Sequence, residues 1–212
     1  MKRVRKMTLV VSLLAMFVFW TVVVCLVDVQ PVGPEGAAVG LATWNRWLHN
    51  FTGVHWDLYE ITDWLGLIPM GIVGGFGLLG LAQWIARRSL GKVDRSILLL
   101  GGFYLVVLVL FVLFELVPVN YRPVLVDGKL EASYPSSTTM LVLCVMPTAL
   151  MEWNHRIKSA LRPWIMVAGI GFMVLMVVGR WVSGVHWTSD IVGGGFLGAG
   201  LVMLYNGIKA TP

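Results

Sequence analysis

Six long apolar runs, nearly empty of charge, constrain this chain more than any other feature. A helix that crosses the hydrocarbon of a bilayer needs about 20 mostly apolar residues. Runs of that kind lie at 7–27, 65–86, 96–117, 138–153, 164–182 and 191–208. Inside a bilayer every backbone N–H and C=O must be satisfied within its own segment, so such runs are read as helices. The expected fold is all-α: a polytopic membrane protein with six transmembrane helices, forming one domain over residues 1–212. The fourth run is short and carries Thr138, Thr139 and Pro147, which predicts a kink or tilt there.

Composition agrees. Only 13% of the residues are charged, against about a quarter in a soluble domain. Ten Trp and 24 Gly fit a membrane protein, with Trp at the interfaces and Gly where helices approach closely. The net charge of +5 points to anionic lipid surfaces as partners. Nucleic acid is excluded as a partner, because the basic residues are scattered between apolar runs and form no stripe. Cys25 and Cys144 each sit inside an apolar run and read as small buried hydrophobes, with no disulfide or metal framework.

Basic residues set the orientation. The first run follows Lys2, Arg3, Arg5 and Lys6. A cleaved signal peptide is the rival reading, but the apolar stretch is long and no small-residue cleavage site follows at once. With the N-terminus inside, the inner segments hold Lys2, Arg3, Arg5, Lys6, Arg87, Arg88, Lys92, Arg95, Arg156, Lys158, Arg162 and Lys209, twelve of the sixteen Lys and Arg. His155 joins that positive inner side. Only Arg46, Arg122, Lys129 and Arg180 fall outside. Both termini are thus expected in the cytoplasm, with the protein in the plasma (inner) membrane. The longest outer segment, about 28–64, alternates aromatic and polar residues and predicts helical turns lying in the interface. Gly71, Gly74, Gly75 and Gly77, like Gly194, Gly195, Gly198 and Gly200, are expected to allow close helix packing. The nearly apolar span interiors argue against a transporter or channel.

Three polar clusters fall on the outer side, at 115–123, 134–139 and 179–190. Ionisable groups this close to hydrocarbon are costly and by default point to function. In the second, Ser136 or Ser137 can cap the following helix, whose free N–H groups and dipole offer an anion site. In the third, Arg180 can grip a phosphate, His186 can attack it, and Asp190 can steer the imidazole. If the last span starts early, Asp190 stacks one turn beyond His186.

Together the clusters resemble the three motifs of the type-2 phosphatidic acid phosphatase family of six-span membrane enzymes. Those motifs are Lys, six residues, Arg-Pro; Pro-Ser-Gly-His; and Ser-Arg, five residues, His, three residues, Asp. Here they read Glu115 then Arg122–Pro123; Pro135–Ser136–Ser137–Thr138; and Gly179–Arg180, His186 and Asp190. The resemblance implies that His186 forms a phosphohistidine, that Asp190 orients it, and that Arg122, Arg180, Ser136 and the Ser137 amide hold the phosphate, without a metal or other cofactor.

Two positions depart from the pattern. Glu115 replaces the phosphate-binding lysine, and Thr138 replaces the histidine that protonates the leaving group. Threonine is no general acid near neutral pH, and losing one typically costs about 10²–10⁴-fold in rate. A carboxylate at 115 would repel phosphate unless it turns away or pairs with Arg122. Lys129 is a candidate to restore the positive charge, and His55, His49 or Glu131 to restore the proton donor. Without a donor, a lipid diphosphate such as a polyprenyl diphosphate is favoured over an ester, because phosphate is the better leaving group. Two functions follow: a lipid phosphatase at the outer leaflet, or a catalytically impaired relative that binds phosphorylated lipid or a membrane partner.

Overall fold

The computed structural model describes residues 2–156 and 160–210. Lys158 lies outside them, as do the side chains of Lys2, Arg3 and His155. Eight α-helices occur among the described residues: α1 (Lys2–Leu26), α2 (Ala42–Thr52), α3 (Trp56–Leu65), α4 (Leu67–Arg87), α5 (Arg95–Leu116), α6 (Ser137–Arg156), α7 (Arg162–Val182) and α8 (Thr188–Lys209).

Five stretches among them are long and apolar enough to cross a membrane: Arg5–Leu26, Trp56–Arg87, Arg95–Leu116, Arg162–Val182 and Thr188–Lys209. The protein is therefore an all-α membrane protein of several spans, but the expected count of six is not reached. The missing one is α6. This helix lies at the centre of the bundle, packed against α4, α5, α7 and α8. It buries Met140, Val142, Cys144, Val145, Met146, Ala149 and Leu150 together with Thr148 and Glu152. A helix enclosed by protein answers to its neighbours rather than to lipid, so it can carry polar groups wherever they find partners. Thr148 donates to the Cys144 carbonyl at 2.7 Å. Glu152 accepts from Tyr205 Oη at 3.0 Å and pairs with Lys209.

Helices α3 and α4 follow one another with only Gly66 between them, so the stretch that holds the second candidate span runs from Trp56 to Arg87. Before that stretch α2 turns Ala42 and Asn45 inward and leaves Trp47 and Phe51 exposed. That two-sided pattern suits a helix lying in the interface.

Helix α8 is the second central element, held between α1 and α6. Its glycines permit this. A Cβ at Gly194 would meet Thr139 at 3.2 Å, one at Gly198 would meet Leu143 at 2.9 Å, and one at Gly200 would meet Leu14 at 2.7 Å. The packing expectation fails for Gly195 and for Gly71, Gly74, Gly75 and Gly77, where a Cβ would meet nothing within 4 Å. Around α8, Phe17 and Val24 of α1, Val107 of α5, Met140 and Cys144 of α6, Leu197 and Leu201 form one core with Tyr134.

The bundle has two polar ends. At one, Asp94 pairs with Arg87 at 2.9 Å and with Arg156 at 3.4 Å, close in sequence to the Glu152–Lys209 pair. At the other, residues between α5 and α6 fold into a narrow hairpin. Arg122 N–H donates to the Glu131 carbonyl at 3.1 Å, Ser133 N–H to the Asn120 carbonyl at 2.9 Å, and Val126 pairs with Lys129 across the tip. The three motif regions converge at this second end.

Candidate active site

The nucleophile candidate sits on a short loop whose path only glycine permits. Helix α7 ends at Val182, and Gly184 then takes φ +68. A Cβ there would lie 1.8 Å from the Gly53 carbonyl oxygen. That close approach fastens the loop to the turn between α2 and α3. His55 N–H donates to the Ser183 carbonyl at 2.9 Å, and His49 Nε2 lies 3.0 Å from the Gly184 carbonyl. His186 follows, still outside α8, which starts at Thr188. The expected stacking of Asp190 one helical turn beyond His186 therefore does not occur.

Asp190 is instead a capping residue of the first turn of α8. Its buried carboxylate accepts from Trp187 N–H at 2.9 Å, Asn120 Nδ2 at 3.3 Å, Ser189 Oγ at 3.3 Å and Ser133 Oγ. A carboxylate in the first turn also faces the positive end of the helix dipole. Its nearer oxygen, Oδ2, stands 3.9 Å from His186 Nδ1. Ser133 fills the gap. Its hydroxyl donates to Asp190 and lies 3.3 Å from Nδ1, and its carbonyl lies 3.2 Å from the same atom. With the ring proton on Nδ1, that nitrogen donates to Ser133, and Nε2 keeps a free lone pair. Burial, and then the charges of Arg122 and Arg180, hold the imidazole well below its ordinary pKa of 6.5. His186 is thus a neutral base with its nucleophilic nitrogen unprotonated.

The two arginines gather over Tyr59 of α3. The Arg180 guanidinium lies 4.5 Å from the ring centroid and that of Arg122 5.8 Å. Arg180 donates to the Tyr59 carbonyl at 3.2 Å, to Thr62 Oγ1 at 3.1 Å and to Asp63 Oδ1 at 3.2 Å. Arg122 Nε stands 3.1 Å from Glu131, near enough for charge attraction but misaligned for a hydrogen bond. Like-charged guanidiniums held together under burial need an anion between them. Four buried nitrogens in these residues have no hydrogen-bond partner: Arg122 Nε and Nη1, Arg180 Nε, and His186 Nε2. Native folds rarely leave buried donors unpaired, and exceptions concentrate where a ligand or ion belongs.

Ser136 binds Asp190 through its backbone, N–H to carbonyl at 3.0 Å, and its hydroxyl accepts from Thr139 N–H at 3.4 Å, which caps α6 as expected. Beside His186 opens a cavity lined by polar Ser133, Ser137 and Glu115 and by apolar Phe111, Phe114 and Met140. Thr138 does not line it. The expected replacements do not reach it either. Lys129 is exposed at the hairpin tip, and the His55 ring turns to the Thr52 carbonyl at 2.8 Å. Glu131 is engaged with Arg122. His49 packs at a tilt against Trp187 and is pushed toward its neutral form by burial. Glu115 does not pair with Arg122, contrary to one expectation, and lines the cavity from the end of α5.

Sequence reasoning missed Ser133, Asn120 and the Tyr59–Thr62–Asp63 group. The last had a signal, since positions 59, 62 and 63 share one helical face. Ser133 and Asn120 carried none, being loop polar residues with no spacing to read.

Residues 114–210 match the model of the PAP2 superfamily. No curated protein matches the chain. Among solved structures it resembles a transmembrane PAP2-type phosphatidylglycerolphosphate phosphatase from Bacillus subtilis, at TM-score 0.60 and 19% identity, covering 94% of this chain and 95% of that one. At that identity the likeness is one of fold.

Proposed function

We propose that this chain, a membrane protein of the PAP2 superfamily, is a lipid phosphatase that works through a phosphohistidine at His186. Its substrate is a lipid phosphate or a polyprenyl diphosphate taken from the outer leaflet. His186 Nε2 attacks phosphorus, the P–O bond to the leaving group breaks, and water then cleaves the P–N bond. Arg122, Arg180 and the Ser136–Ser137 region neutralise charge on the phosphoryl oxygens as it develops. Asp190 holds the imidazole for attack and stabilises the imidazolium character it gains. In this reading α6 completes six spans and both termini lie in the cytoplasm.

The observation that carries the proposal is the set of unpartnered buried nitrogens on Arg122, Arg180 and His186. They are three electropositive or nucleophilic groups with spare capacity at one place. The mixed polar and apolar lining of the cavity supports an amphiphilic substrate, with a head beside His186 and a chain along Phe111, Phe114 and Met140.

The test is phosphate release by purified protein in lipid, from phosphatidic acid and from a polyprenyl diphosphate. Release is expected, with inhibition by vanadate and complete loss in His186→Ala. Turnover that survives this substitution rules out the mechanism. Lipid binding without turnover of either substrate favours the second reading, a non-catalytic binder, to which Thr138 already lends support by standing outside the cavity.

A further inference from the structure

The phosphohistidine route needs a proton on the leaving oxygen when that oxygen belongs to an alcohol. Thr138 cannot give one. His55, Lys129 and Glu131 do not line the cavity. Among its lining residues, only one carboxyl is present, and it belongs to Glu115.

We propose that Glu115 is the proton donor to the leaving alcohol, and that the protein therefore takes lipid phosphomonoesters. This rests on the phosphatase reading above. Arg122 and Arg180 gather over Tyr59 and do not line the cavity. Glu115 does line it, together with His186, and shares one helical turn of α5 with Phe111 and Phe114, beside which the hydrophobic part of a lipid would run. In-line attack by His186 sends the leaving oxygen away from the nucleophile. The lipid chain is attached to that oxygen, so the side that holds the chain is also the side on which a donor is needed. A carboxylate there is repelled by the phosphate, but it is placed to act on the ester oxygen.

The proton balance closes over one turnover. A phosphomonoester monoanion brings a proton into the site, where it is shared with the Glu115 carboxylate because two adjacent negative charges are costly. As P–Nε2 forms and the P–O bond to the lipid breaks, Glu115 passes that proton to the departing oxygen, releasing a lipid alcohol. Water then adds to phosphorus as the P–Nε2 bond breaks, both of its protons stay with the phosphate, and H2PO4⁻ leaves with His186 neutral and the Glu115 carboxylate restored. The same residue accounts for both departures from the family pattern: the lost lysine position supplies the acid that the lost histidine position no longer does.

The experiment compares leaving groups in Glu115→Gln. Two substrates are used with the purified full-length protein in lipid: phosphatidic acid, whose alkoxide leaves poorly, and p-nitrophenyl phosphate, whose phenolate leaves without a proton. Turnover of phosphatidic acid is expected to fall by about 100-fold, and that of p-nitrophenyl phosphate by far less. Glu115→Asp is expected to recover part of the lipid activity. Equal losses on both substrates that Glu115→Asp does not relieve overturn the assignment, as does a Glu115→Gln variant that hydrolyses phosphatidic acid normally. If the unaltered protein releases phosphate from neither substrate, the phosphatase reading itself fails, an outcome distinct from the other two.

Discussion

His186 Nδ1 and Asp190 Oδ2 stand 3.9 Å apart, beyond hydrogen-bonding reach, and the Ser133 hydroxyl touches both. The carboxylate therefore acts on the imidazole through a third side chain. Ser133 adds a second hold through its own carbonyl, which any substitution at this position keeps. Ser133→Ala is expected to lower kcat by about tenfold, the worth of one hydrogen bond to a charged group. KM should stay nearly constant. Steady-state kinetics separate the two, and a purely structural role would instead reduce the amount of active protein without this split.

Gly184 offers a harsher test of the same loop. Gly184→Ala puts a methyl 1.8 Å from the Gly53 carbonyl oxygen at φ +68, a conformation L side chains rarely adopt. The loop must move, carrying His186 with it. Loss of nearly all activity and a lowered thermal transition are expected. Normal activity in Gly184→Ala would mean that the contact between the loop and the α2–α3 turn is dispensable.

The pH dependence follows from the sign of one shift. In the proposed mechanism His186 attacks as the neutral base, the form present above its pKa. Burial and two nearby guanidiniums lower that pKa well below 6.5. The nucleophile therefore stays competent as pH falls through 6.5 and is lost only well below it. The profile of kcat/KM, corrected for the measured ionisation of the substrate, should place the His186 limb on that acid side. Arg122→Gln removes one of the two charges and should move the limb upward. A limb at or above 6.5 in the unaltered protein contradicts this picture.

The candidate site residues are more legible in the sequence than what supports them. Arg122, Ser136, Arg180, His186 and Asp190 stand out because each lies in a short segment whose spacing can be read directly. Their supports come from far along the chain. Ser133 reaches His186 across 53 positions, and Asn45 holds Ser189 across 144. No local pattern encodes such pairings. The apolar runs gave the membrane fold, since their length alone answers the bilayer. Apolarity marks α6 least clearly, because a helix walled in by protein need not be greasy. The apolar runs also missed that Gly71, Gly74, Gly75 and Gly77 of α4 face open space while most of the glycines in α8 face neighbours. Periodicity cannot tell these apart, as both read as small residues in an apolar helix.

The joining of the α2–α3 turn to the loop at 183–186 has a mechanical consequence. Trp47 and Phe51 project from α2 with most of their surface uncovered. Any change in bilayer thickness or lateral tension that tugs on those rings loads the backbone contacts at Gly53, His55 and Gly184. The His186 imidazole hangs from the far side of the same junction. Turnover should then vary with acyl-chain length of the surrounding bilayer even for a short, water-soluble phosphate ester, because the membrane works here as part of the scaffold.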